Sequence, residues 1–159
     1  MEKSFSKEQF DEHIQRLDSK ELDWDPFEGQ AALDSKYRRG HVRMVGASIT
    51  GKHFEPGTIP ANNFTLSVMT MPPGAVAPSH AHEVEEVFFV LKGQITAWWE
   101  RDDGSREETI LQEKHMIYAP AGMMHGLYNH TSEDVQVQVV IGVGKPEKPT
   151  YLDDSLAGT

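Results

Sequence analysis

Short apolar segments separated by turn residues follow one another along the chain from residue 40 to residue 144. Several alternate apolar with polar side chains, which is the period of a strand with one buried face. The last is the clearest, because Val135, Val137 and Val139 alternate with Gln136 and Gln138. About eight short strands with closely spaced turns predict an all-β barrel or sandwich. The predicted strands cover residues 41–49, 63–71, 86–91, 94–100, 106–118 (one or two strands) and 135–143.

The segment at 63–71 shows which of its side chains should face the interior. Phe64, Leu66 and Val68 form one apolar face of it. Because alternate side chains of a strand point to the same side, we expect this face to be buried.

The strand that begins at Glu86 is apolar on both faces. Phe88 and Val90 share the side of Glu86, and Val87 and Phe89 lie on the other. Strands of this kind are covered on both faces. We therefore expect the N-terminal helix or a second subunit to cover the outer face, and we predict a homodimer.

The two ends of the chain lack the alternating pattern of the predicted strands. Ser6 and Gln9 have the spacing of a helix capping box, which predicts a short N-terminal helix over residues 6–17. A chain of 159 residues fits one domain. The tail holds two prolines, so we expect it to pack outside the barrel or to be loose. The predicted regions are an N-terminal helix and arm (1–39), a barrel (40–144) and a C-terminal tail (145–159).

Charge and composition exclude several classes of partner and chemistry. The chain has 25 acidic and 15 basic residues and a formal net charge of −10, which repels phosphate backbones and anionic lipid. We expect a small-molecule substrate, with no nucleic-acid or membrane partner. No cysteine is present, which excludes disulfides, thiolate catalysis and sulfur ligands. No apolar run approaches the roughly 20 residues that span a bilayer, and we expect a cytoplasmic protein.

A histidine pair followed by a glutamate carries the strongest chemical signal. His80 and His82 are two residues apart, so on a strand both imidazoles face one point. Glu86 can share that point only if the chain turns between residues 82 and 86, because an extended chain would carry it roughly 13 Å further. The alternative is that these histidines are solvated in a loop. Spacing alone does not decide between metal ligation and that alternative.

Two motifs in this region resemble those of the cupin family. In the first, Gly74, His80, His82, Glu86 and Gly93 stand at the family's spacing. The second motif, by resemblance, consists of Pro120, Gly122, His125 and Asn129. Its usual leading glycine is replaced by Lys114, which puts the shape of that turn in doubt.

The resemblance implies a single-domain jelly-roll barrel with a metal ion inside it. Carried over residue by residue, it implies that His80, His82, Glu86 and His125 are the ligands, and that Asn129 is structural. Three imidazoles and a carboxylate suit a divalent first-row transition metal. Fe²⁺ is the favoured ion, with Mn²⁺, Ni²⁺, Zn²⁺ and Cu²⁺ as alternatives.

Three functions are compatible with such a site. The first is a dioxygenase acting on a small enol, diketone or aromatic substrate, because an octahedral ion with four protein ligands keeps two positions open. The second is a redox-neutral lyase or isomerase, in which the ion acts as a Lewis acid. The third is a binding module without turnover, since a fold does not fix a function. The candidate pocket residues are Phe64, Phe88, Trp98, Tyr118 and His53.

Overall fold

The structure, a computed structural model, describes residues 4, 6–50 and 57–159. Those residues form ten β-strands, two short α-helices and several single turns of 3₁₀ helix. The strands are β1 (Gly40–Val45), β2 (Thr65–Met71), β3 (Val76–Ala81), β4 (Glu86–Lys92), β5 (Ile95–Glu100), β6 (Arg106–Leu111), β7 (Met116–Ala119), β8 (His125–Tyr128), β9 (Val135–Ile141) and β10 (Thr150–Tyr151). The helices are α1 (Lys7–Asp11) and α2 (Glu28–Leu33).

The strands form two five-stranded antiparallel sheets. The first has the order β1-β2-β9-β4-β7 and the second the order β10-β3-β8-β5-β6. Consecutive strands therefore often lie in different sheets, and the chain crosses repeatedly from one sheet to the other. This arrangement confirms the predicted all-β barrel of two facing sheets.

The space between the sheets is filled by the inward side chains of both. On β9, Val135, Val137 and Ile141 are buried, whereas Gln136 and Gln138 on the other face are only half-buried. The alternation read from the sequence therefore does mark a strand with one fully buried face. The largest core side chains from the two sheets are Met69, Met71, Phe88, Val90, Ile95, Leu111, Leu127, Val135, Val137, Val139 and Ile141.

Strand β2 turns toward the core the face opposite to the one expected, although Val68 of the expected face is also buried. Thr65 and Ser67 are fully buried, whereas Phe64, just before the strand, is 41% exposed. Met69 and Met71 belong to the core and share the parity of Thr65 and Ser67. The two methionines thus decide which face turns inward, and the small polar residues follow because a strand cannot change face without a change of register.

The turn at Lys114 keeps the shape that a glycine would give it. Lys114 has a φ of +70°, in the left-handed region that glycine favours. Its N–H donates to the carbonyl of Val90, and the N–H of His115 donates to that of Gln112, each at 2.9 Å. The missing motif glycine has therefore not changed this turn, although a lysine there carries a backbone penalty of about 1–2 kcal/mol.

The N-terminal helix is shorter than predicted. The capping box of Ser6 and Gln9 is present, but α1 ends at Asp11. The His13 imidazole donates from Nδ1 to the carbonyl of Gln9 at 2.6 Å, and this side-chain bond competes with continuation of the helix. Helix α1 buries no residue, and Phe10 is 61% exposed. No helix of the described residues is both long and apolar enough to cross a membrane.

The outer face of β4 is only partly covered. Val87 and Phe89 are half-buried and Leu91 is exposed. Since α1 buries nothing, it does not supply the cover that the sequence predicts. The homodimer stays a prediction.

The arm and the tail both pack on the barrel. Phe27, in the arm, and Leu156, in the tail, are buried. Asp23 forms a bridge with His41 at the start of the barrel, and the Arg43 guanidinium pairs with the Asp23 carboxylate at 2.9 Å. In the tail, β10 adds a strand to the edge of β3. These segments cover one end of the barrel, the end that holds the histidines.

Candidate metal centre

Three strands from two sheets bring four predicted ligands to one place. His80 is on β3, and His82 is the first residue after that strand. His125 is the first residue of the neighbouring strand β8, where it is the register partner of His80. Glu86 opens β4 in the opposite sheet. The chain bends at residues 83 and 84, as the spacing requires, and so Glu86 faces the histidines across the interior.

The three imidazoles converge on a single carboxylate oxygen. Glu86 Oε2 lies 2.8 Å from His125 Nε2, 3.2 Å from His80 Nε2 and 3.6 Å from His82 Nε2. All four residues are buried. His80, Glu86 and His125 meet the mutual distances of a metal-binding cluster, and His82 completes the set around the same oxygen.

Backbone carbonyls hold two of the imidazoles in a fixed orientation. His80 donates from Nδ1 to the carbonyl of Pro78 at 2.7 Å, and His125 donates from Nδ1 to that of Met123 at 2.8 Å. With Nδ1 bonded to a carbonyl, each ring directs Nε2 at Glu86, where a neutral ring presents a lone pair and a protonated ring donates a hydrogen bond. Lone pairs gathered around a carboxylate repel one another unless a proton or a cation lies among them. The donor set therefore fits a bound metal cation.

The loop before His125 is tied to the first motif. The N–H of Gly122 donates to the carbonyl of His82 at 2.8 Å. Gly122 has a φ of +80°, which a residue with a side chain seldom adopts. This turn brings the second motif beside the first and places His125 opposite Glu86.

The electrostatics of the cluster favour a negative carboxylate on Glu86 and a protonated imidazole on His125. Burial opposes ionisation of Glu86, but hydrogen bonds from His125 and His80 outweigh it and lower the pKa of Glu86. Burial likewise opposes protonation of His125, and its bond to Glu86 raises the pKa of His125 instead. Burial lowers the pKa of His82 to about 4, so this ring is neutral at neutral pH. A metal ion that enters the site would replace the proton on His125.

A small cavity of about 30 Å³ lies against the cluster. By the usual measure this is room for about two water molecules. His80, His82 and Glu86 form part of its wall. The apolar part of the wall comes from Phe27, Ile49, Met69, Ala77, Phe88, Val139, Ile141 and Pro149. The remaining polar residues are Arg39, His41, Ser48 and Tyr151.

The predicted pocket residues lie in different places. Phe88 lines the cavity, with its ring centroid 5.5 Å from that of His125. Trp98 is buried, but it donates from Nε1 to Ser79 and lies on the outer side of the second sheet, since Ala97 beside it points into the core.

Phe64, Tyr118 and His53 complete the set of predicted pocket residues. Phe64 is exposed because β2 turns the face of Met69 and Met71 toward the core. Tyr118 is 51% exposed. It is opposite Val87 on the outer face of the first sheet. His53 lies outside the described residues. Of the five predicted pocket residues, Phe88 is the one that the described structure places at the cavity.

Three cavity residues were missed as site residues by sequence reasoning. Arg39 and His41 stand at the start of the barrel, and Tyr151 is on β10, where it is the register partner of His80. A histidine opening a predicted strand was a weak signal for His41. Tyr151 had no signal, because it reaches the site only when the tail adds a strand to β3.

Fold and site together define a small two-sheet β-barrel with a candidate transition-metal centre at one end. A family model described as "Cupin domain" matches residues 67–142, which hold all four candidate ligands. Residues 67–142 of this chain therefore resemble a cupin domain in sequence as well as in fold.

Curated relatives are found among plant proteins. Auxin-binding protein T92 of Nicotiana tabacum is 30% identical over 92 residues, which are 55% of this chain and 49% of that protein. Auxin-binding protein 1 of Arabidopsis thaliana is 35% identical over 78 residues, 46% of this chain and 39% of that one. The chain thus spans half or less of the length of these relatives.

Solved structures share the fold at low sequence identity. The DMSP lyase DddQ of Ruegeria pomeroyi has a TM-score of 0.57 at 19% identity, over 72% of this chain and 52% of its own. An oxalate oxidase has a TM-score of 0.58 at 16% identity, over 76% and 58% of the two chains. Oxalate decarboxylase of Bacillus subtilis has a TM-score of 0.56 at 20% identity, over 77% and 29%.

Proposed function

We propose that this protein is a metal-dependent enzyme that acts on a small organic molecule in the cavity beside His80, His82, Glu86 and His125. One observation carries the proposal: three imidazole nitrogens surround a single buried carboxylate oxygen, within 3.6 Å of it. A site of this kind beside a cavity is the usual place for catalysis.

The four side chains would hold a divalent first-row transition metal, with Fe²⁺ as the expected ion. Such an ion would supply a Lewis acid and, if redox-active, a relay for electrons. The carbonyls of Pro78 and Met123 fix the rings of His80 and His125, as outer-shell partners of metal ligands do. One structural neighbour, oxalate decarboxylase of Bacillus subtilis, has Mn(II) centres, which supports Mn²⁺ as the first alternative.

The favoured reaction is dioxygenation of an enol, a diketone or an aromatic compound. The apolar wall, which includes Met69, Phe88 and Ile141, supports it, because it excludes water and admits an apolar gas and a carbon skeleton. The same wall protects a reactive intermediate from hydrolysis.

A redox-neutral lyase or isomerase is the second candidate, and Tyr151 favours it. Burial raises the pKa of Tyr151, so its phenol keeps its proton at neutral pH. The Tyr151 hydroxyl accepts a hydrogen bond from Gln30 Nε2 at 2.6 Å, which leaves its own proton to donate. A proton donor at the cavity is what lyase or isomerase chemistry requires. The neighbours with this fold include a DMSP lyase and an oxalate decarboxylase.

Oxygen dependence separates the two candidates. The protein is reconstituted anaerobically with Fe²⁺ or Mn²⁺ and assayed on enols, diketones, catechols and small hydroxy acids, in air and under argon. A dioxygenase consumes oxygen with substrate and stops under argon, whereas a lyase turns over equally in both. Glu86→Gln, which removes the central charge, is expected to abolish either activity. Retention of turnover by this variant would contradict the proposed site.

A further inference from the structure

Arg39 is a buried cation at the cavity without a counter-charge. Its residue surface is 3% exposed, and its side chain forms part of the cavity wall. The guanidinium lies 3.8 Å from the ring centroid of Phe27 and donates from Nη2 to Gln30 Oε1. Among the described residues no carboxylate is within ion-pair distance of Arg39, and its Nε has no hydrogen-bond partner.

His41 stands beside Arg39 with a second unsatisfied atom. Its Nδ1 is buried and has no hydrogen-bond partner in the described part of the chain. Burial and the charges of Arg39 and Arg43 lower the pKa of His41 to about 3, so the ring is neutral. A neutral imidazole has one N–H, which can donate to an acceptor in the cavity.

Unpaired buried polar groups are rare in native proteins, and a buried charge without a partner is costly. Glu86 attracts Arg39 only from beyond ion-pair distance, and its Oε2 is already shared by three imidazoles. Both residues line one cavity wall, so the positive charge of Arg39 and the polar ring of His41 indicate a ligand that brings its own negative oxygens. The planar guanidinium matches the geometry of a carboxylate.

We propose that Arg39 and His41 form an anion subsite that binds the carboxylate of a small organic acid beside the metal centre. This inference rests on the proposed function and names its substrate class: the acid's carboxylate lies on Arg39 while its reacting carbon lies toward Glu86. Tyr151, on the same cavity, donates its free proton to the bound acid.

The test uses acetate as the probe, its uncharged isostere acetamide as the comparison, and a neighbouring arginine as the control. Arg38 is exposed and stacks on Trp24, so Arg38→Gln removes the same charge one residue away from the cavity. Wild type, Arg38→Gln and Arg39→Gln are loaded with Mn²⁺, analysed for metal content and titrated with both compounds by calorimetry. Arg39→Lys, which keeps the charge, is added in case Arg39→Gln does not fold.

Wild type and Arg38→Gln are expected to bind acetate at least tenfold more tightly than acetamide. Arg39→Gln is expected to lose at least tenfold in acetate affinity while it keeps its metal, and Arg39→Lys to fall between them. Equal binding of acetate and acetamide by metal-loaded wild type would overturn the subsite, as would unchanged acetate affinity in both Arg39 variants. Failure of wild type to take up Mn²⁺ would instead contradict the proposed function. The metal analysis detects this outcome independently of the acetate titration.

Discussion

The two ends of the barrel interior are built from the same strands but differ in chemistry. Strand β8 contributes His125 to one end and, two residues later, Leu127 to the other, and both are almost fully buried. Strand β4 does the same with Glu86 and Val90. We call the end with the four candidate ligands the polar end. The apolar end consists of Met71, Val90, Ile95, Leu127, Val135 and Val137, each with no exposed surface.

The difference separates the residues that stabilise the fold from the residues that form the candidate site. The apolar end supplies burial, which is the main favourable term in folding. The polar end gathers charges and unsatisfied nitrogens, which oppose folding unless they bind something. Substitutions at the apolar end should therefore change stability without changing the site, and substitutions at the polar end should do the reverse.

Leu127→Ala is expected to have the largest effect. Removal of this side chain leaves a cavity in the closed core and should lower the free energy of unfolding by about 2–5 kcal/mol. Ile110→Ala, at a position 55% exposed, is the control and should cost much less. Chemical denaturation measures both. If the folded Leu127→Ala variant also lost its affinity for metal, the separation of the two ends would be wrong.

His125→Ala tests the polar end on the same strand. It removes a direct ligand, so we expect metal affinity to fall by more than the roughly 10–100-fold that follows loss of an outer-shell partner. His130→Ala is the control, because His130 is exposed and bonds Thr96. Calorimetric titration with Mn²⁺ compares the two. Equal affinities in the two variants would remove His125 from the site.

Asn129→Ala tests whether this residue of the second motif is structural and not a metal ligand. The buried Asn129 amide donates to the carbonyls of Met71 and Glu133, both at 2.8 Å, and accepts from Thr131. Without it, the two carbonyls lose a donor, and we expect a loss of about 1–3 kcal/mol in stability with unchanged metal content. Asn63→Ala, on the surface, is the control. A variant of normal stability that lacks metal would reverse this assignment.

Metal binding should weaken as the pH falls. The ring of His125 must be neutral at Nε2 to bind a cation, and its pKa is raised by Glu86, so protons compete with the metal from a higher pH than at an ordinary histidine. We expect affinity to fall by up to about tenfold per pH unit below that pKa. His82, with a pKa of about 4, adds no competition until the solution is more acidic. Constant Mn²⁺ affinity from pH 8 to pH 5 would contradict histidine ligation.

Lys114→Gly has the smallest expected effect, in the stabilising direction. Glycine adopts the left-handed conformation of residue 114 without steric cost, and part of this gain is lost to its greater freedom in the unfolded chain. We expect a gain of about 0.5–1 kcal/mol in stability. Lys114→Ala removes the same charge without this freedom and should show no gain in thermal denaturation. A gain of equal size in both variants would point to the charge instead.

The strands and the clustering of the four candidate ligands could be predicted from the sequence because each leaves a local signal. Alternation at 135–143 marks a strand. The spacing of His80, His82 and Glu86 marks a turn between two inward-facing strands, and the motif resemblance adds His125. The face of β2 could not be predicted, since the alternation itself is symmetrical and the parity of its two methionines settles it.

The rest of the site could not be predicted because it depends on contacts between distant segments. Tyr151 reaches the cavity through the pairing of β10 with β3. Arg39 is buried by Phe27 and Gln30, which belong to the arm. Both contacts join segments that are far apart in the sequence, so no local pattern predicts them. The sequence around Arg39 does not distinguish it from the exposed Arg38 next to it.

X-ray absorption at the metal edge of the Mn²⁺-loaded protein tests the central claim most directly. The account predicts an ion with three imidazole ligands and further oxygen ligands, and with fewer imidazoles in His125→Ala. A coordination shell of oxygen alone, identical in wild type and in His125→Ala, would contradict a centre formed by these histidines.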